Sequence, residues 1–191
     1  FLAGHETTAI ALSWTFYLLA QHPEVEERLV SELREVLGDA PPTVAHMQGL
    51  RYTEMIVKES MRLYPPAWRV GRETVRACRI GEYEIPAGAQ VIMSQWVVHR
   101  DPRFFDDPEQ FDPSRWEPGR SAPLPKYAYF PFAGGARRCI GDSFAMMEAV
   151  LILASVMQRY HLTLVPGQKI TLWPSITLRP VPAINMIASR R

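Results

Sequence analysis

Ten residues, Phe132-Ala133-Gly134-Gly135-Ala136-Arg137-Arg138-Cys139-Ile140-Gly141, set one cysteine between glycines, two residues after an arginine and just ahead of an apolar helical segment. A thiol at the start of a helix meets unsatisfied backbone N–H groups and the positive end of the helix dipole. Both favour the thiolate, which is the metal-binding form. Gly135 and Gly141 let the backbone come close to something large and flat, and Arg137 offers a cation to an anionic group on it. An iron porphyrin has matching parts: an axial metal position, a flat face and two carboxylates. The competing reading is a structural cysteine buried in an ordinary loop.

Three other segments hold residues with chemical potential. Ala3-Gly4-His5-Glu6-Thr7-Thr8 opens a helical stretch that runs through Ile10, Leu12, Trp14, Tyr17, Leu18 and Leu19 to Pro23. Ala3 and Thr7 share a helix face, and a mid-helix threonine bonds back to a carbonyl one turn earlier and loosens the helix. The small Ala3 and Gly4 leave room there for a diatomic molecule. Taken alone, Glu6-Thr7-Thr8 reads as a capping segment. Glu59-Ser60-Met61-Arg62 lies in a helical run from Tyr52 to Tyr64 that Pro65-Pro66 ends. Its two charges share one face, and such pairs are usually solvated decoration. Phe111-Asp112-Pro113-Ser114-Arg115-Trp116 supplies a further arginine.

In this order the segments resemble the second half of a cytochrome P-450, a haem-thiolate monooxygenase, closer to the soluble bacterial type. The family pattern Phe-x-x-Gly-x-Arg-x-Cys-x-Gly is met in full by Phe132, Gly135, Arg137, Cys139 and Gly141. The resemblance implies heme b (iron protoporphyrin IX) with Cys139 as axial thiolate and metal ligand, the other four residues lying at the cofactor. It adds Arg72 and His99 as holders of the haem carboxylates. Arg69 is a weaker competitor of Arg72, and His99 reads equally well as a satisfied core residue. Glu6 and Thr7 become the catalytic pair that relays protons to dioxygen. Glu59, Arg62 and Arg115 become a buried triad that pins the cysteine loop, where arginine's bidentate geometry is required.

Three largely apolar segments, Phe1 to Thr7, Ala67 to Gly71 and Pro174 to Thr177, are implied to line the pocket, with Ala3, Trp68, Val70 and Ile176 facing a lipophilic substrate. The implied activity inserts one atom of dioxygen into that substrate. Its electrons come from a ferredoxin or a flavoprotein reductase docked near Arg137 and Arg138. Peroxide-driven or isomerising relatives often depart from the acid–threonine pair, which this chain keeps. A non-catalytic fragment of the fold is the alternative from another class.

At 191 residues with 47% hydrophobic composition, the chain has enough material for a real core, and a net charge of +1 gives no sign of a nucleic-acid partner. Cys78 and Cys139 are the only cysteines, too few for a zinc site, and Cys78 reads as inert. No targeting segment is visible, and a cytoplasmic location is expected. The family's fold is longer and every match belongs to its second half, so residues 1–191 read as the C-terminal haem-binding part of one domain, lacking the N-terminal half. The expected fold is mainly α with small β-sheets (α+β). Pro23 opens a helix from Glu24 to Leu37, with Val25, Leu29, Leu33 and Val36 on one face and Gly38 at its end. The helix from Phe144 to Met157 is too short to span a bilayer, carries Glu148 and is expected to be buried behind the haem. Tyr83 to Gly88 followed by Gln90 to Met93 reads as a tight turn between two strands. Residues 101–131 read as an ordered meander that buries Phe104, Phe105, Phe111, Trp116, Tyr127, Tyr129 and Phe130. The alternation around Thr171–Trp173 and Ile176–Leu178 predicts hairpin strands.

Overall fold

Four helices supply the core. The structure, a computed structural model, describes the backbone of residues 2–120 and 123–191 and the side chains from residue 4 onward. Helix α1 (Leu2–Leu19) is apolar on nearly all sides and is held centrally. Its Trp14 stacks on Tyr64 at 4.3 Å and donates its indole N–H to the Leu178 carbonyl. Helix α2 (Pro23–Leu37) starts on a proline with Glu24 and Glu26 in its first turn, and ends where Gly38 adopts a φ of 55°. It buries Val25, Leu29, Val30, Leu33 and Leu37. Helix α3 (Arg51–Leu63) has no side-chain cap from its own N-cap residue. Instead Glu32 of α2 accepts hydrogen bonds from the Tyr52 and Thr53 backbone N–H groups and from the Thr53 hydroxyl. One helix's carboxylate thus satisfies the orphan donors of the next.

Among the described residues, four two-stranded antiparallel sheets accompany these helices. Strand β1 (Val70–Glu73) pairs with β4 (Gln90–Met93), and between them β2 (Cys78–Ile80) pairs with β3 (Tyr83–Ile85). The expected turn between Tyr83–Ile85 and Gln90–Met93 is therefore not a hairpin. Thr74 captures that turn: its hydroxyl donates to the Pro86 carbonyl at 2.6 Å and accepts from the Ala89 N–H at 3.0 Å, leading the chain back beside β1. The short helix α4 (Gln95–Val98) follows, and a meander with one 3-10 turn at Pro113–Trp116 leads to the cysteine loop. Phe105 and Phe111 are buried as expected, whereas Tyr127, also expected inside, is half exposed, at 49%.

Helix α5 (Asp142–Met157) buries one face only, through Ala149, Val150, Leu153, Ala154 and Met157. Phe144 is 63% exposed and Ile152 also faces outward, so the expected burial holds for one side of the helix. Its apolar surface runs all round, while α1, α2, α3 and strand β5 (Tyr160–Leu164) cover a single side. β5 pairs with β8 (Met186–Arg190), and β6 (Thr171–Pro174) forms the expected hairpin with β7 (Leu178–Val181). Among the described residues no helix is long and apolar enough to cross a membrane.

Candidate active site

The cysteine loop is closed by its own backbone. The Cys139 N–H donates to the Phe132 carbonyl at 3.0 Å, and the Ala133 N–H donates to that of Phe130 at 2.9 Å. The bend requires left-handed backbone at Ala133 (φ 58°) and Gly135 (φ 70°), the second of which only glycine adopts without cost. At Gly134 the reason for glycine differs, since a Cβ would lie 2.4 Å from the Tyr127 ring. Cys139, Ile140 and Arg137 are exposed, with Phe144 of α5 beside the same turn of chain.

An exposed thiol on a glycine-rich loop, with apolar Ile140 and Phe144 following it, fits one axial ligand on the face of a flat apolar group. Arg137 has no ion-pair partner among the described residues, and neither has exposed Arg72 on β1, whose guanidinium donates only to the Gly71 carbonyl. Both remain suited to the carboxylates of such a group. Arg138, the other arginine of the expected docking face, pairs with Asp142 four residues on, at 2.5 Å, and holds that carboxyl below its usual range. It borders a cleft of about 360 Å³ that also includes Lys58, itself paired with Glu54.

Of the two readings of His99, the structure matches the satisfied core residue. It is 0% exposed, and its Nε2 accepts the Phe130 backbone N–H at 2.9 Å. Burial, aided by the Arg62 cation, lowers its pKa to about 3, so the ring is neutral and carries no charge for an anion.

Beneath the loop, Glu59 and Arg62 are both fully buried and form two parallel bonds of 2.9 and 3.0 Å. Arg115 approaches the same carboxylate at 3.4 Å. The reading of this cluster as a solvated pair therefore fails. Partners not foreseen complete it. The Trp116 indole N–H and the Asp112 backbone N–H donate to Glu59, while Arg62 also donates to the carbonyls of His99, Pro108 and Gln110. The arginine thus ties the end of α4 and the Pro108–Gln110 stretch of the meander to α3, and the Tyr129 hydroxyl adds a bond to the Lys58 carbonyl. These contacts span dozens of residues in sequence, and no local spacing announces them.

On α1 the helix is unbroken, and the back-bond to a carbonyl is made by Thr8 to Gly4, at 3.3 Å. A Cβ at Gly4 would meet nothing within 4 Å, so that surface is open; the expected part of Ala3 in it lies outside the described side chains. Glu6 has turned toward the β6–β7 hairpin. Its carboxylate accepts from the Thr177 hydroxyl at 2.7 Å and from Arg179 at 2.6 Å, and these bonds, Thr177's foremost, lower its pKa. Half-buried Thr7 follows it on the helix.

The three apolar segments are joined to one another. The Trp68 indole N–H donates to the Ser175 carbonyl and the Leu178 N–H to that of Pro66, while Thr177 reaches Glu6. Trp68 and Val70 are half-buried, and Ile176 at the hairpin turn is 92% exposed.

Comparison with known proteins agrees with this arrangement. The family model described as Cytochrome P450 matches residues 1–184. The cyclooctatin synthase of Streptomyces melanosporofaciens is 42% identical over 190 residues, which cover all of this chain and 41% of that protein. The cyclooctat-9-en-7-ol 5-monooxygenase of the same organism is 42% identical over 166 residues, 87% of this chain and 36% of that protein. Protein LUTEIN DEFICIENT 5 of Arabidopsis thaliana is 37% identical over 194 residues, spanning the whole chain and 33% of its own length. The chain thus spans well under half the length of these relatives. Joined to an acid–threonine helix, a buried Glu–Arg pair and a cysteine loop in this order, the match shows that the chain belongs to the cytochrome P450 family.

Proposed function

We propose that this chain carries the thiolate ligand and the proton-delivery residues of a haem-thiolate monooxygenase that hydroxylates a lipophilic substrate. The observation that carries the reading is Cys139 exposed on a loop closed by its own N–H, with apolar Ile140 next to it and Arg137 without an ion-pair partner among the described residues. Overall, a C–H bond, dioxygen, two electrons and two protons become a C–OH bond and water. Heme b bound through a cysteine thiolate supplies the redox chemistry and favours O–O cleavage. The electrons come from a ferredoxin or a flavoprotein reductase.

The chain's own residues do the rest. Cys139 provides the thiolate, and the loop's backbone bonds hold it in register with α5. Arg137 and Arg72 neutralise the carboxylates of the cofactor. Glu6, kept ionised by Thr177 and Arg179, is a proton acceptor at its Oε1; it passes a proton toward the Thr7 hydroxyl only after its bond to Arg179 opens. Trp68, Val70 and Ile176 shape an apolar wall. A relative named for acting on cyclooctat-9-en-7-ol fits that class of substrate.

In the full-length protein, Cys139→Ala is expected to abolish oxygenation. Thr7→Ala is expected to keep cofactor oxidation while diverting reducing equivalents from product to peroxide. Hydroxylation by the cysteine variant, or unchanged coupling in the threonine variant, would overturn the respective role.

A further inference from the structure

We infer that His99 is a positioning residue for the thiolate: its neutral ring holds the Phe130 backbone N–H and thereby anchors the start of the loop that ends in Cys139. The inference rests on the haem-thiolate reading for its spectroscopic consequence and on geometry alone for the anchor itself.

Every hydrogen-bonding direction at His99 but one is accounted for. Its N–H donates to the Gln95 carbonyl, its carbonyl accepts from Arg62 at 2.9 Å, and its Nε2 lies 2.9 Å from the Phe130 nitrogen. The ring lies tilted on Tyr129, with centroids 5.0 Å apart, and meets Phe130 edge-on at 5.3 Å. A backbone N–H is only a donor, so Nε2 must present its lone pair and the proton must reside on Nδ1. A charged ring, with donors at both nitrogens, would lose this bond. Nδ1 is buried and makes no hydrogen bond of full geometry among the described residues. The acceptors beside the ring are the backbone carbonyls of Arg62 and Met61, which favour a proton there.

The anchor transmits to the cysteine in two short steps. Phe130 precedes the turn whose Phe132 carbonyl accepts the Cys139 N–H at 3.0 Å. His99 is in turn fixed through its carbonyl to the buried Arg62–Glu59 pair. One residue therefore couples the rigid cluster under the loop to the loop's first turn. Without the acceptor at Nε2, the Phe130 N–H is left buried and unbonded, and the register of the thiolate loosens.

The test compares wild type, His99→Phe (volume kept, acceptor lost) and His99→Gln (carbonyl oxygen near the place of Nε2) in the full-length protein. Nitrogen-15 spectra of labelled histidine in wild type should show His99 neutral, with the proton on Nδ1. Amide exchange at Phe130 and Cys139, in protein freed of haem, should be about tenfold faster in His99→Phe and near wild type in His99→Gln. The ferrous–CO complex of His99→Phe should lose much of its thiolate band, with His99→Gln restoring it. A wild-type ring protonated on Nε2, or a folded His99→Phe with unchanged protection at both amides, would overturn the inference. If His99→Phe does not fold, the wild-type tautomer decides. A wild-type protein lacking any thiolate band would contradict the haem-thiolate reading and leave the anchor to be judged on tautomer and exchange.

Discussion

Arg62 uses all five of its N–H donors: two on Glu59 and one each on the carbonyls of His99, Pro108 and Gln110. Replacing it by leucine leaves a fully buried carboxylate and three carbonyls without their donor, an expected loss of about 3–5 kcal/mol or failure to fold. Arg62→Lys should recover little, because an ammonium offers three donors from a single point. Denaturant melts of the full-length variants measure this, and a lysine variant with wild-type stability would contradict it. Glu6 is the opposite case, an accessible carboxylate held below its usual pKa by Thr177 and Arg179. In Arg179→Ala that pKa should rise, so Glu6 takes up its proton at higher pH. The acid limb of the coupling of electron use to product should then move upward in pH. An unmoved limb would remove Glu6 from proton delivery.

At the scale of elements, the cysteine loop separates glycines that look alike in sequence. Gly135 has a φ of 70°, so Gly135→Ala should cost about 1–2 kcal/mol in the protein without haem. Gly141 has a φ of −95°, and its added Cβ would touch the Cys139 sulfur only at 4.0 Å, so Gly141→Ala should leave haem-free stability nearly unchanged. Any loss it shows should appear in haem titration instead. Equal destabilisation of both variants without haem would contradict the distinction. The loop, α2 and the β6–β7 hairpin were legible because each rests on short-range signals: glycines about a cysteine, a proline start with a glycine stop, and period-two alternation. The pairing of β1 with β4 was not, since it turns on Thr74 capturing a turn a dozen residues away. The one-sided burial of α5 was hidden too, because a helix apolar all round does not say which side its neighbours cover. The two readings of His99 could not be separated for the same reason: a histidine's partner across the fold, here a backbone N–H, leaves no mark on its own neighbourhood.

For the whole molecule, these parts form one apparatus. A core of α1, α2, α3 and α5 carries a buried ionic cluster, which gathers the meander, which in turn holds the cysteine loop. A neutral histidine at the centre of that chain makes stability depend on pH. Its folded pKa of about 3 lies below the ordinary 6.5, because burial and the nearby Arg62 and Arg100 oppose its charge. Between those values the unfolded chain binds more protons than the folded one, so stability is full above about 6.5 and falls as pH drops toward 3. The slope from this residue approaches about 1.4 kcal/mol per pH unit within the window. Denaturant melts across that range should show the decline, and His99→Gln should flatten it; an equally steep decline in the variant would assign it to other groups.

The central claim is that Cys139 binds haem iron as a thiolate, and the ferrous–CO absorption spectrum of the full-length protein, with Cys139→His beside it, tests it most directly. The account predicts the strongly red-shifted Soret band of thiolate ligation in wild type and its replacement in the variant by the band of histidine-ligated haem. A haem-loaded wild type already at the histidine-type position, or a variant that keeps the red-shifted band, would contradict it.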